Sequence, residues 1–234
     1  MDEAAARTLF DANARTYDRV NTVISLGLDS HWRAWAARRA VARPGARVLD
    51  AFAGTGLVGL RAARRGADVT LADASPGMLE MARARAAAAH LPVRTIECDL
   101  TDDSLMVPGA PFDAITIVFG VRYLDDPARA LRALARLLST GGSIVVVEFV
   151  EPGPSAISRL AGWYFFGVLP WLAGLLSGHR ELYETLASTT HAMGRADRLE
   201  AIFSSAGLEV TGRRSMGFGL VQGLVAQPAP PGGG

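Results

Sequence analysis

The sequence predicts a doubly wound α/β fold: a mostly parallel, seven-stranded sheet with an antiparallel edge hairpin, N-terminal helices and an apolar helical insertion. Three observations predict it. Short apolar runs alternate with helical patterns between residues 46 and 149, as in a parallel sheet covered on both faces. The first run leads straight into a glycine loop, Gly54-Thr55-Gly56, the usual passage from strand to helix at a ligand crevice. Two late strands, near 208–216 and 218–226, meet around Gly217, joined by about one residue, which suggests a hairpin at a sheet edge.

Residues 3–41 read as helices, because Leu9, Phe10, Tyr17, Val20, Val23 and Ile24 recur near helical spacing. A loop over 21–27 follows, and Ser30 is placed to cap a helix carrying Trp32 and Trp35. The alternation then runs strand 46–50, helix 56–66, strand 68–73, helix 76–90, strand 93–98 and strand 112–119. Ser75-Pro76 is a cap followed by a proline at the first helical position. Asp126-Pro127 opens a helix to Ser139, and Gly141-Gly142 turns into a strand from Ile144 to Phe149. After an insertion over 151–194 come a helix, 195–206, and strands near 208–216 and 218–226.

Composition narrows the function. A chain of 234 residues is long enough for one α/β domain with a substantial core. A net charge of +1 gives no electrostatic case for nucleic acid. One cysteine, Cys98, permits no internal disulfide, and four scattered histidines offer no metal spacing. The opening Met1-Asp2-Glu3-Ala4 lacks the basic and apolar regions of a signal peptide, so a cytoplasmic location is expected. The high apolar content is compatible with a homodimer. Leu160 to Leu176 is a 17-residue run without charge, interrupted by Pro170 and glycines. That is short for a membrane span. It suits an apolar wall over a pocket or a patch touching lipid; buried packing is the plain alternative.

Asp50, Asp73 and Asp99 each close an apolar run, the first just before the glycine loop. Gly54-Thr-Gly56-Leu-Val-Gly59 also spells a dinucleotide fingerprint, which is weak alone in a chain with 25 glycines. Strand-acid-loop followed twice by strand-acid is instead the layout of a class I methyltransferase that uses S-adenosylmethionine (AdoMet). Here Asp73 would accept both ribose hydroxyls. Asp99 would accept from the adenine amine.

Five stretches carry a closer resemblance. They are Phe10 to Asn21 with Ser25-Leu-Gly27 and Trp32-Arg33; Val48 to Gly56; Ile115 to Arg122, containing Phe119-Gly120-Val-Arg122; Gly141-Gly142 through Phe149; and Val168 to Tyr183. The chain resembles the ubiquinone/menaquinone biosynthesis C-methyltransferases. The resemblance implies a Rossmann-like class I methyltransferase fold. Residues 1–227 would form one domain, with 1–41 a helical flap and 151–194 a substrate lid, and 228–234 a disordered tail. It implies methyl transfer from AdoMet to a ring carbon of a polyprenylated quinol, leaving S-adenosylhomocysteine. Asp50, Gly54, Thr55, Gly56, Asp73, Ala74, Met78, Asp99, Leu100 and Val118 form the expected cofactor set. Arg122, Tyr17, Asp18 and His179 are the catalytic candidates, and Tyr123, Glu148, Tyr164 and Tyr183 the substrate contacts. No metal is expected. A lipophilic acceptor brings peripheral membrane contact with it.

Three positions depart from the family pattern: Leu57 stands where an acid is usual, Tyr123 where asparagine is usual, and Phe52 where a small residue is usual. The mechanism implied is loss of a ring-hydroxyl proton, followed by attack of the adjacent carbon on the sulfonium methyl. Arg122 would steady the oxyanion; Tyr17, Asp18 or His179 would take the proton or position the ring. Plain structural roles compete at each position. Arg122 could pair with Asp125 or Asp126, Tyr17 could be helix packing, His179 a solvated loop residue, Glu148 a helix cap, and Cys98 a small core residue. Three other functions compete with the first: methylation of a phenolic or polyketide molecule, an AdoMet-binding protein without turnover, and, more remotely, a nicotinamide-dependent reductase.

Overall fold

The computed structural model describes residues 18, 22, 25–102, 104, 106–168, 171 and 180–230; for 180–186 it describes no side chains. Helix α1 (Leu28–Ala40) precedes β1 (Arg47–Ala51), α2 (Leu57–Ala63), β2 (Asp68–Asp73), α3 (Pro76–Ala88), β3 (Val93–Glu97), β4 (Phe112–Val118), α4 (Pro127–Ala135) and β5 (Leu138–Phe149). The insertion holds α5 (Ala156–Trp163), a π-helical turn over Tyr164–Val168, and α6 (Arg180–Met193). Helix α7 (Ala196–Ser205), β6 (Leu208–Met216) and β7 (Val221–Pro228) follow.

Among the described residues, seven strands form one sheet in the order β3-β2-β1-β4-β5-β7-β6. Strands β1 to β5 pair in parallel, and β7 runs antiparallel between β5 and β6. Strand order reverses beside β1, so the crevice that such sheets use for ligands opens at the carboxyl ends of β1 and β4.

The apolar runs divide their side chains between two faces with the two-residue period of a strand. Val48 and Ala114 join a core with Trp32, Trp35, Val58, Leu79 and Ala82. Leu49 and Ile115 join the opposite core with Leu131, Leu134, Leu199 and Phe203. Close packing depends on specific glycines. A Cβ on Gly59 would lie 2.2 Å from Leu71 Cδ2, so only glycine lets α2 settle on β2. A Cβ on Gly223 would lie 2.7 Å from the Trp35 ring, and one on Gly217 would lie 2.9 Å from Trp32.

Four expectations change. Ser30 lies inside α1, and its Oγ accepts from Arg61 Nη2 at 3.0 Å. The helix starts instead at Gly27 with φ 77°, and Ser25 Oγ accepts from the Asp29 N–H at 3.2 Å. Helix α4 stops at Ala135, and Gly141-Gly142 lies within β5. A Cβ on Gly142 would sit 2.9 Å from the Ser139 carbonyl, so the glycine pair carries a kink that lets Leu138 still pair with Phe112. The β6–β7 connection spans Gly217 to Leu220, a short helical turn rather than one residue. Strand β7 continues to Pro228 opposite Leu208, one residue into the expected tail, and the Ala229 N–H still donates to the Gly207 carbonyl at 2.9 Å.

Gly59→Ala is expected to lower stability by about 1–3 kcal/mol through overpacking against Leu71, read from the midpoint of urea unfolding at unchanged slope.

Candidate active site

Parallel topology delivers the ends of β1, β2, β3 and β4 to one edge of the sheet, and the glycine loop lies there. Gly54 and Gly56 take φ 54° and 79°. A Cβ on Gly56 would press on Ala82 at 3.0 Å, so that glycine serves packing. Among the described residues a Cβ on Gly54 would meet only Met78 Sδ, at 4.0 Å, so none of them fills the side of the loop a ligand would use. Asp73, half-buried at the end of β2, accepts from the Gly54 N–H at 2.7 Å and the Ser75 N–H at 2.9 Å. Ala74 is half-buried beside it, Met78 is buried in the first turn of α3, and Val118 is buried at the end of β4.

Asp99 is exposed just past β3, and its Oδ1 accepts from the Thr101 N–H at 2.9 Å and hydroxyl at 2.7 Å. Leu100 turns its side chain into the core. Burial, then the charges of Asp73 and Asp99, push the Cys98 thiol between them up to about 11. It is protonated at neutral pH and not a nucleophile.

Asp50 faces inward. It is 2% exposed, and both oxygens are engaged: Thr116 Oγ1 donates at 2.6 Å and the Gly59 N–H at 2.7 Å. Burial raises its carboxyl to about 6 against these two stabilising bonds. Its visible work is to tie β1 to β4 and to the first turn of α2, which sets the angle at which the glycine loop leaves the sheet.

Sequence reading missed Arg85. Thr55 Oγ1 donates to Asp18 at 2.8 and 3.0 Å, and Arg85 Nη1 reaches Asp18 Oδ2 at 2.5 Å. The same Arg85 nitrogen donates to the Thr55 carbonyl at 3.3 Å. The leader is therefore fastened to the glycine loop and to α3. Asp18, a candidate base, is held in an ion pair. Arg85 lies 67 positions from Asp18, and no local pattern marks it.

A second cluster lies at the ends of β4 and β5. Arg122 and Glu148 form an ion pair with side chains 3% and 0% exposed. Glu148 also accepts from the backbone N–H of Arg122 and of Phe149, and Arg122 Nη2 donates to Tyr123 Oη at 3.0 Å. The Arg122 guanidinium lies 4.5 Å from the Tyr123 ring centroid, 5.4 Å from Phe149 and 5.8 Å from Phe119. Phe119 and Phe149 stack at 4.8 Å, and Phe149 meets Phe165 at 4.9 Å. Trp32 meets Phe119 and Phe149 edge-on, and Arg33 sits 5.4 Å over Phe119, so leader residues back the strand ends. Phe52 and Phe119 both take a positive φ, 55° and 63°. For a side chain with a Cβ this costs about 1–2 kcal/mol, and such strain gathers at functional sites. A Cβ on Gly120 would lie 3.1 Å from Phe52 Cβ, so the larger residue at 52 is matched by glycine at 120.

Tyr164 packs half-buried against the α1-side core. Helix α6, which carries Tyr183, packs on the Val121–Tyr123 turn; the Tyr183 side chain, Tyr17 and His179 lie outside the described residues. Among the described residues no group of three or more histidine, cysteine or acidic side chains is placed to hold a metal ion.

The raised Asp50 carboxyl has a stability signature. Its proton is held more tightly folded than unfolded, so the associated stability is complete below pH 3.8 and disappears as pH rises through about 6. Relative to Asp50→Asn, the wild type should lose roughly 3 kcal/mol across that window, measured by urea unfolding at stepped pH.

A sequence model of the ubiE/COQ5 methyltransferase family matches residues 1–226. The chain is 39% identical over 204 residues to a demethylmenaquinone methyltransferase of Thermus thermophilus, covering 86% of this chain and 92% of that one. It is 36% identical over 213 residues to a demethylmenaquinone methyltransferase of Clavibacter sepedonicus, covering 91% and 86%. Solved structures agree on the fold. A TehB-like SAM-dependent methyltransferase from Corynebacterium glutamicum superposes with TM-score 0.59 at 21% identity, covering 93% of this chain and 98% of that one. A methyltransferase solved with the Haloferax volcanii Trm112 activator gives 0.66 at 19%, covering 94% and 98%. With matches of this extent on a Rossmann-like sheet, the chain belongs to the ubiE/COQ5 methyltransferase family.

Proposed function

We propose that the chain methylates a ring carbon of a prenylated hydroquinone, a demethylmenaquinol or a ubiquinol precursor, with AdoMet as methyl donor. The observation that carries the acceptor is the buried Arg122–Glu148 pair walled by Phe119, Tyr123 and Phe149. A guanidinium held among aromatic faces suits a flat ring that bears a developing oxyanion. Two curated relatives that act on demethylmenaquinone by name support the same class.

AdoMet supplies an electrophilic methyl carbon on a positively charged sulfur. Asp73, Asp99 and Gly54 are the groups that would hold its nucleoside and methionine ends. On the acceptor side, Arg122 stabilises the oxygen that has lost its proton to solvent, which places electron density on the neighbouring carbon; once methylated, that carbon sheds its ring hydrogen as a proton to solvent. Glu148 keeps the guanidinium from swinging out of line; breaking such a buried pair leaves an uncompensated charge costing about 3–5 kcal/mol. Asp18 serves as a positioning residue: its ion pair with Arg85 fixes Thr55 and hence the loop. The leader and the insertion would work as flap and lid over this edge. The lipophilic acceptor places the enzyme at a membrane surface, although no helix among the described residues is long and apolar enough to cross a membrane. The same apolar content supports pairing into a homodimer, which sedimentation of the purified chain decides.

Incubation with labelled AdoMet and a short-chain demethylmenaquinol should label the quinol ring. AdoMet binding without label transfer to any quinol analogue would falsify the acceptor. Arg122→Met should lower kcat by about 10²–10³-fold while calorimetry shows near-unchanged AdoMet affinity. Arg85→Met and Asp18→Asn should do the reverse, raising the AdoMet KM about tenfold through loss of a charge-assisted bond and leaving the acceptor KM in place.

A further inference from the structure

Helix α5 is inside out for a packed helix. Ile157, Leu160 and Trp163 are each 65% exposed, and their spacing of three puts them on one stripe. The buried side carries Ser158 and Gly162 instead. A Cβ on Gly162 would lie 2.7 Å from Pro152 Cγ, and one on Gly219 would lie 2.8 Å from Ser158 Oγ. Small and polar groups are thus pressed inward and the large apolar ones face outward. Phe218, in the adjoining β6–β7 turn, adds a ring 65% exposed on backbone at φ 58°, and Trp171 is 67% exposed. Large apolar side chains exposed together on one helix face mark interaction surfaces.

We propose that this face of α5, with Phe218, is an interfacial docking surface that seats the enzyme on an anionic lipid bilayer. Charge decides for lipid. Exposed Arg159 stands among the apolar residues of α5, and from Pro152 to Arg180 the sequence holds two arginines and no acid. Apolar side chains, tryptophan and arginine on one exposed stripe fit the boundary between headgroups and acyl chains. Position decides as well. The π-helical turn that extends α5 sends Phe165 onto Phe149, whose ring stacks on Phe119 beside Arg122. A single segment therefore runs from the exposed apolar stripe to the aromatic cluster, a route for a prenylated acceptor to pass from bilayer to site. That purpose rests on the quinol reading; the docking itself does not.

The test is co-sedimentation of the full chain, without any acceptor, with phosphatidylcholine vesicles containing or lacking phosphatidylglycerol. The wild type should pellet with the anionic vesicles, and the combined Ile157→Ser, Leu160→Ser, Trp163→Ser variant should bind at least tenfold more weakly. Its AdoMet affinity should match the wild type. Arg159→Glu, a surface change that leaves packing alone, should weaken binding to anionic vesicles only. Wild-type protein remaining in the supernatant overturns the proposal, as does equal pelleting of the triple variant. So does a wild-type dimer that the triple variant splits, because a second copy would then own the face. Vesicle binding without quinol methylation leaves docking in place and removes the acceptor; methylation without vesicle binding does the converse.

Discussion

The inward-facing carboxylate of Asp50 is the constraint on which the site depends. It accepts from β4 through Thr116 and from the first turn of α2 through Gly59, at 2.6 and 2.7 Å, with 2% of its surface exposed. A buried acid held by only two donors is a costly device. Its return is geometric. It anchors the helix start relative to two central strands, so the five residues between β1 and α2 must turn sharply at the carboxyl edge. Gly54, Gly56 and the positive φ of Phe52 follow from that short span.

Two assemblies stand on either side of this loop. On the β2 side, Asp73 holds the Gly54 N–H, and Asp18 with Arg85 holds Thr55. Acidic groups converge on loop atoms while, among the described residues, only Met78 comes near Gly54 on its other side, a division suited to a cationic, nucleoside-bearing donor. On the β5 side, Arg122 and Glu148 neutralise one another among aromatic rings. The leader reaches both: Asp18 touches the loop, and Trp32 and Arg33 touch the ring of Phe119. Described residues near the start of the chain thus touch both the glycine loop and the aromatic cluster.

The described part of the insertion divides its side chains between the aromatic cluster and solvent. Phe165 completes the aromatic stack, whereas α5 turns its large apolar side chains outward. Hydrophobicity alone could not separate these roles, because Phe165 and Trp163 lie two residues apart in one uncharged run. Their directions differ by the turn of a helix, and only packing against Pro152 and Gly219 decides which faces the sheet.

The sequence by itself determined the alternation of strands and helices, the glycine loop, and the acids at the ends of the apolar runs. Those features are local: a period of two or 3.6, a cap, a turn residue. Strands β2 and β4 and helix α3 lie close to where those patterns put them. Tertiary structure alone decided what the polar groups do. It turned Asp50 inward, joined Asp18 to Arg85 across the chain, matched Arg122 with Glu148, and let β5 begin at Leu138 by kinking at Gly141-Gly142. Each outcome depends on partners distant in sequence, and a buried charge takes whichever partner the fold brings within reach, which no local pattern encodes.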